Sequence, residues 1–148
     1  MEKIANVGSY IVKHNMTIPT RLSDYDYDYN NPQRRFISTY IHTVSFLDPI
    51  TNVELSKFHF DSTACADLIS AMYNLGFGNG EYAGMKLTVN NIHFDNGHDG
   101  FICMEISNGL LRFEVCDYID ETVFNIEDPD SLLSLLDSEE IAEMFIPD

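Results

Sequence analysis

The sequence predicts an α+β fold: one domain over residues 1–148, with a mainly antiparallel sheet of two hairpins, a central helix and a C-terminal helix. Three observations carry this prediction. Asn108-Gly109 stands between two alternating apolar runs, the strongest short hairpin signal in the chain. Residues 62–75 place apolar side chains at helical spacing, and residues 129–145 do so again behind an Asp-Pro pair.

The elements follow in chain order. Residues 4–22 are short and β-leaning, interrupted by Gly8 and Pro19. Residues 23–35, SDYDYDYNNPQRR, form a polar loop or irregular edge. Phe36–Leu47 and Val53–Phe60 are rich in β-branched and aromatic residues, and turn-prone residues 48–52 between them predict the first hairpin. Ser62–Leu75 is the central helix. Asp61 or Ser62 caps it, Cys65, Leu68, Ile69, Met72 and Leu75 form its stripe, and Gly76 suits the position just past its end. Glycine-rich residues 76–84 lead to a strand at Lys86–Phe94.

Phe101–Ser107 and Leu110–Ile119 make the second hairpin, whose register the sequence specifies. A two-residue turn sets Ser107 opposite Leu110, Glu105 opposite Arg112 and Met104 opposite Phe113. One face is then wholly apolar (Ile102, Met104, Ile106, Leu111, Phe113, Val115), and Glu105 meets Arg112 on the other. A one-residue slip would ruin both patterns. At the C-terminus Asp128 caps, Pro129 takes the first helical position, and Leu132, Leu133, Leu135, Leu136, Ile141, Met144 and Phe145 supply the buried side. Asp137 with Glu140 suits the restart of a second short helix.

Charge is the unusual feature. The 148 residues hold 24 Asp+Glu and 8 Lys+Arg, a net charge of −16, yet 45% of residues are hydrophobic, too apolar for a disordered acidic tail. Residues 1–60 carry six acids and six bases and are neutral. Lys86 and Arg112 are the only bases after residue 60, and Phe113–Asp148 hold 12 acids with no Lys or Arg. Direct binding of nucleic acid or anionic membrane is excluded, since those partners need a basic footprint. The N-terminus lacks a signal-peptide core, no apolar run approaches the roughly 20 residues of a membrane span, and Cys65, Cys103 and Cys116 fit buried thiols in a reducing compartment. A cytoplasmic protein is expected.

No catalytic signature emerges, and no cofactor is expected. His93, Asp95, His98 and Asp99, with His59-Phe60-Asp61 repeating the His-Phe-Asp triplet, hold N/O donors at strand spacing without a recognised zinc or iron pattern. Asp24, Asp26 and Asp28 start like an EF-hand loop, but Tyr29 and Arg35 stand where glycine and glutamate belong. Gly76, Gly78 and Gly80 follow a helix, the wrong order for a phosphate cradle.

The candidate partner-binding residues are therefore acidic and aromatic. Asp24, Tyr25, Asp26, Tyr27, Asp28 and Tyr29, if extended, put three carboxylates about 6.7 Å apart on one side and three phenols on the other. Asp117, Asp120, Glu121, Glu127, Asp128 and Asp130 approach the last helix, where Glu139, Glu140 and Glu143 share a face. An ordinary solvated surface would intersperse both signs.

In size, charge and lack of a catalytic motif the chain resembles, as a broad group, phage-encoded anti-CRISPR and anti-restriction proteins. The resemblance implies a non-enzymatic inhibitor that meets a basic nucleic-acid-binding protein, a nuclease or CRISPR effector, through an acidic, nucleic-acid-mimicking surface. Two alternatives accompany this expectation: an immunity protein neutralising a bacterial toxin nuclease, and a metal-dependent hydrolase built on His93, Asp95 and His98.

Overall fold

The computed structural model describes residues 2–17, 41–76 and 85–137. Eight antiparallel strands run in chain order, each hydrogen-bonded to the next. They are β1 (Glu2–Val7), β2 (Tyr10–Thr17), β3 (Ile41–Leu47), β4 (Glu54–Asp61), β5 (Lys86–His93), β6 (Asp99–Ser107), β7 (Leu110–Cys116) and β8 (Glu121–Ile126). Helix α1 (Ser62–Asn74) enters between β4 and β5, and α2 (Pro129–Leu136) follows β8. The α+β class holds. The expected sheet of two hairpins is instead one continuous meander that contains both.

The β6–β7 register matches the sequence prediction, from Ser107 opposite Leu110 to Ile102 opposite Val115. Asn108 and Gly109 both take positive φ, as a two-residue turn of this hand requires. The expected Glu105–Arg112 contact spans 4.0 Å, but Arg112 is engaged more closely by Glu114, two residues along its own strand.

Both helix starts follow from local chemistry. Asp61 accepts from Ala64 N at 2.8 Å, and Gly76 closes α1 at φ +101. Asp128 accepts from Ser131 N and from its hydroxyl, with Pro129 next in the chain. Two elements exceed the sequence reading. Gly8-Ser9 turns β1 into β2, and Glu121–Ile126 is a strand, Phe124 and Ile126 facing inward. The expected helix restart at Asp137–Glu140 lies largely outside the described residues.

Inward side chains at alternate positions close a single core. Phe46 of β3 stacks on Phe124 of β8 with centroids 4.2 Å apart, and Phe58 of β4 reaches Phe113 of β7 at 6.4 Å. In a flat sheet β3 and β8 would lie about 24 Å apart. The sheet therefore curls until its two halves face one another. The one pair joining β4 to β5, His59 opposite His93, is the seam where α1 packs against both strands. α2 covers β1 and β2. At the other end Gly8 lies against the β8–α2 junction: a Cβ there would stand 3.2 Å from Glu127 N, and Ser9 Oγ donates to Glu127 at 2.9 Å.

Candidate functional site

Among the described residues the acids after residue 113, apart from Asp137 at the end of α2, fall at two places in this fold. The first is the β7–β8 turn. Asp117 Oδ1 accepts from Ile119 N at 3.0 Å and Asp120 N at 2.7 Å, while its Oδ2 takes Asn96 Nδ2 at 3.2 Å. Those two backbone donors hold the Asp117 carboxyl below the usual carboxylate range. Asp117 is thus committed to shaping the turn. The turn in return projects Tyr118 and Ile119, 76% and 71% exposed. Tyr118 adopts φ +75, a left-handed conformation costly for a bulky side chain, and its ring meets Phe101 edge-on at 5.8 Å. Exposed Asp120 and Glu121 rim this apolar tip.

Beneath the tip a cavity is lined by Phe101, Glu114, Cys116, Ile119 and Glu121. Glu114 is buried and hydrogen-bonded to Glu121 and Arg112, which together hold its carboxyl down at about 2. The same contact pushes the Glu121 carboxyl upward, so the two carboxyls titrate as a pair. Cys116 donates to Glu114 at 3.4 Å, and burial followed by that carboxylate pushes its thiol up to about 12. Such a thiol is no nucleophile at neutral pH.

The second acidic place is the β8–α2 junction. Glu127 accepts from Ser9, Asp128 caps α2, and exposed Asp130 sits in the first turn of α2 where the helix dipole favours it. From Glu121 to Glu127 the chain runs the length of β8, about 20 Å at strand rise, so the two acidic places stand at opposite ends of one strand. Asp24, Tyr25, Asp26, Tyr27, Asp28 and Tyr29, and likewise Glu139, Glu140 and Glu143, lie outside the described residues.

The histidine–aspartate residues do not converge. His59 Nε2 pairs with Asp95 at 2.5 Å, His93 Nδ1 with Asp99 at 2.7 Å, and His98 Nδ1 stands 3.7 Å from Asp117. His59 also meets Thr43 Oγ1 at 2.9 Å across the β3–β4 pair. Each imidazole has its own carboxylate, and the three pairs stand apart from one another.

Among the described residues two groups do gather metal-ligating atoms within 4.8 Å of one another: Glu114, Cys116 and Glu121, and His14, His42 and Cys65. The second is wholly buried and lay outside the sequence reading. A signal existed, because Val12-His14-Met16 and His42-Val44-Phe46 place both histidines on the inward parity of their strands. Burial lowers the pKa of His14 against the opposing pull of the Leu135 carbonyl, and burial plus the neighbouring His14 brings His42 down to about 3. Both imidazoles are neutral.

No family model, no curated protein and no solved structure matches the chain.

Proposed function

We propose that the chain is a non-enzymatic inhibitor that docks on a basic nucleic-acid-handling protein, with the β7–β8 tip as its anchor. The observation that carries this reading is the pairing of Tyr118 and Ile119, exposed and presented by a turn that Asp117 holds, with the carboxylates of Asp120 and Glu121 around them. An aromatic and an aliphatic anchor inside a charged rim is the anatomy of a protein interface, where few residues carry most of the energy. The net charge of −16 selects a cationic partner and speeds the encounter. Acidic residues at both ends of β8 extend the same sign over about 20 Å.

The reading is tested by pull-down from bacterial lysate with the full chain, repeated with added DNA or RNA and with rising salt. A nucleic-acid-binding protein is expected, released by competitor and by salt and lost on joint substitution of Tyr118→Ala and Ile119→Ala. Retention that ignores competitor, salt and the double substitution refutes it.

A further inference from the structure

The most deeply buried polar side chains among the described residues are His14 and His42. His14 lies on β2 and His42 on β3, offset by two positions because Met16 pairs with His42 and His14 with Val44. Their rings stack with centroids 5.1 Å apart, and His42 lies flat against Phe60 at 5.4 Å. Cys65, in the first turn of α1, closes the group from above the sheet. Solvent exposure is 0% for both histidines and 3% for Cys65.

Three polar side chains at this depth need a reason. Leucine or valine would fill the same volume without the desolvation cost that each buried imidazole carries. The hydrogen bonds point to one. His14 Nδ1 stands 3.3 Å from the Leu135 carbonyl, so Nδ1 carries the proton and Nε2 presents its lone pair to the cluster. That arrangement, one ring nitrogen donating to a backbone carbonyl and the other bearing its lone pair toward the cluster, is how metal-binding histidines are oriented. Nε2 in turn accepts from His42 Nδ1 at 2.8 Å, the hydrogen bond that an ion between the rings would replace, and one ligand atom from each of the three residues falls within 4.8 Å of the others.

We propose that His14, His42 and Cys65 form a buried transition-metal site that takes zinc. Zinc–nitrogen bonds of about 2.0–2.1 Å and zinc–sulfur bonds of about 2.3 Å set ligand atoms roughly 3.3–3.8 Å apart in a tetrahedron, so the ion is accommodated by shifts of about 1 Å or less. Nitrogen and sulfur donors select zinc over calcium or magnesium, which require oxygen. On binding, the Cys65 thiol loses its proton to solvent and its sulfur joins the ion. His14 ligates through Nε2 and keeps its proton on Nδ1, whereas His42, ligating through the Nδ1 that faces His14, carries its single proton on Nε2 in the bound form, so neither imidazole changes charge. Three protein donors leave the fourth position of the tetrahedron open. The ligands come from β2, β3 and α1, and the Leu135 carbonyl adds α2, so the ion ties both helices to the sheet.

The test titrates full-length, chelator-treated protein with Co2+ and then Zn2+. The expected result is uptake of one Co2+ per chain with a near-ultraviolet thiolate-to-cobalt absorption band, displaced by Zn2+ and accompanied by a higher Tm in zinc. The band is lost in Cys65→Ser and retained in Cys116→Ser, which separates this site from the Glu114, Cys116 and Glu121 group. Absence of one-to-one uptake by the folded wild-type chain overturns the proposal, whatever the variants do. So does a band that survives Cys65→Ser or vanishes in Cys116→Ser.

Discussion

Phe46 and Phe124 stack with ring centroids 4.2 Å apart and planes 19° from parallel, although their strands stand five places apart in the sheet. Phe46 also meets Phe113 at 5.5 Å, and Tyr10 sets its edge on Phe124 at 5.2 Å. This cluster is the bolt that keeps the meander curled. Phe46→Ala and Phe124→Ala are each expected to cost about 3–5 kcal/mol, the range for deleting a buried aromatic ring. Because the rings touch, the double substitution should cost less than the two single losses combined. Urea unfolding of the three variants measures this, and strict additivity would refute the shared contact.

The curl explains which parts of the fold could be read from sequence. The β6–β7 register was legible because Asn108-Gly109 sets the turn and one face is apolar throughout. The caps at Asp61 and Asp128 were legible because capping is local chemistry. β8 was not, since Glu121 and the flanking acids read as a charged approach to the helix, while Phe124 gains its partner only once the sheet has closed. The candidate site divides the same way. Total charge was legible, but nothing local shows that Asp117 serves its own turn backbone or that Glu114 is buried beside Glu121.

Gly100 is a packing requirement. A Cβ at that position would stand 1.8 Å from the Cys116 carbonyl oxygen, a backbone atom held in the β6–β7 ladder. Gly97, at φ +84, has open space around it. Gly97→Ala is therefore expected to cost about 1 kcal/mol of backbone strain, and Gly100→Ala about 3 kcal/mol or more, with loss of pairing at Phe101–Cys116. Denaturant midpoints combined with amide exchange at residues 101 and 116 distinguish the two, and equal costs would contradict the contact.

The Glu114–Glu121 pair gives stability an acid limb. Glu114 is held at about 2, below its ordinary 4.5, first by Glu121 and then by Arg112. The unfolded chain therefore binds more protons at this group, and its contribution, full above about 4.5, is lost as pH falls toward about 2. Glu121 is shifted upward by its neighbour, so its contribution has the opposite sign and is lost as pH rises. Glu114→Gln should flatten the dependence of the urea midpoint between pH 4.5 and 2. Glu121→Gln should keep that limb and raise stability at neutral pH, because the amide N–H donates to Glu114 without titrating. A steep acid limb persisting in Glu114→Gln would assign the effect to other carboxylates.

Tyr118 separates stability from binding. Its φ of +75 costs about 1–3 kcal/mol for a residue of this bulk, strain that glycine would not bear. Tyr118→Gly forfeits the edge contact to Phe101, worth about 0.5–1.5 kcal/mol, and adds about 0.5–1 kcal/mol of chain entropy to the unfolded state. Those terms nearly cancel, so the variant should unfold within about 1 kcal/mol of wild type. Its affinity for the captured partner should nonetheless fall tenfold or more, since the ring is the most exposed aromatic anchor of the tip among the described residues. Calorimetric Tm and a binding titration on the same preparation decide the matter. An unfolded variant would show that Tyr118 is structural, and undiminished binding would move the docking surface away from the β7–β8 turn.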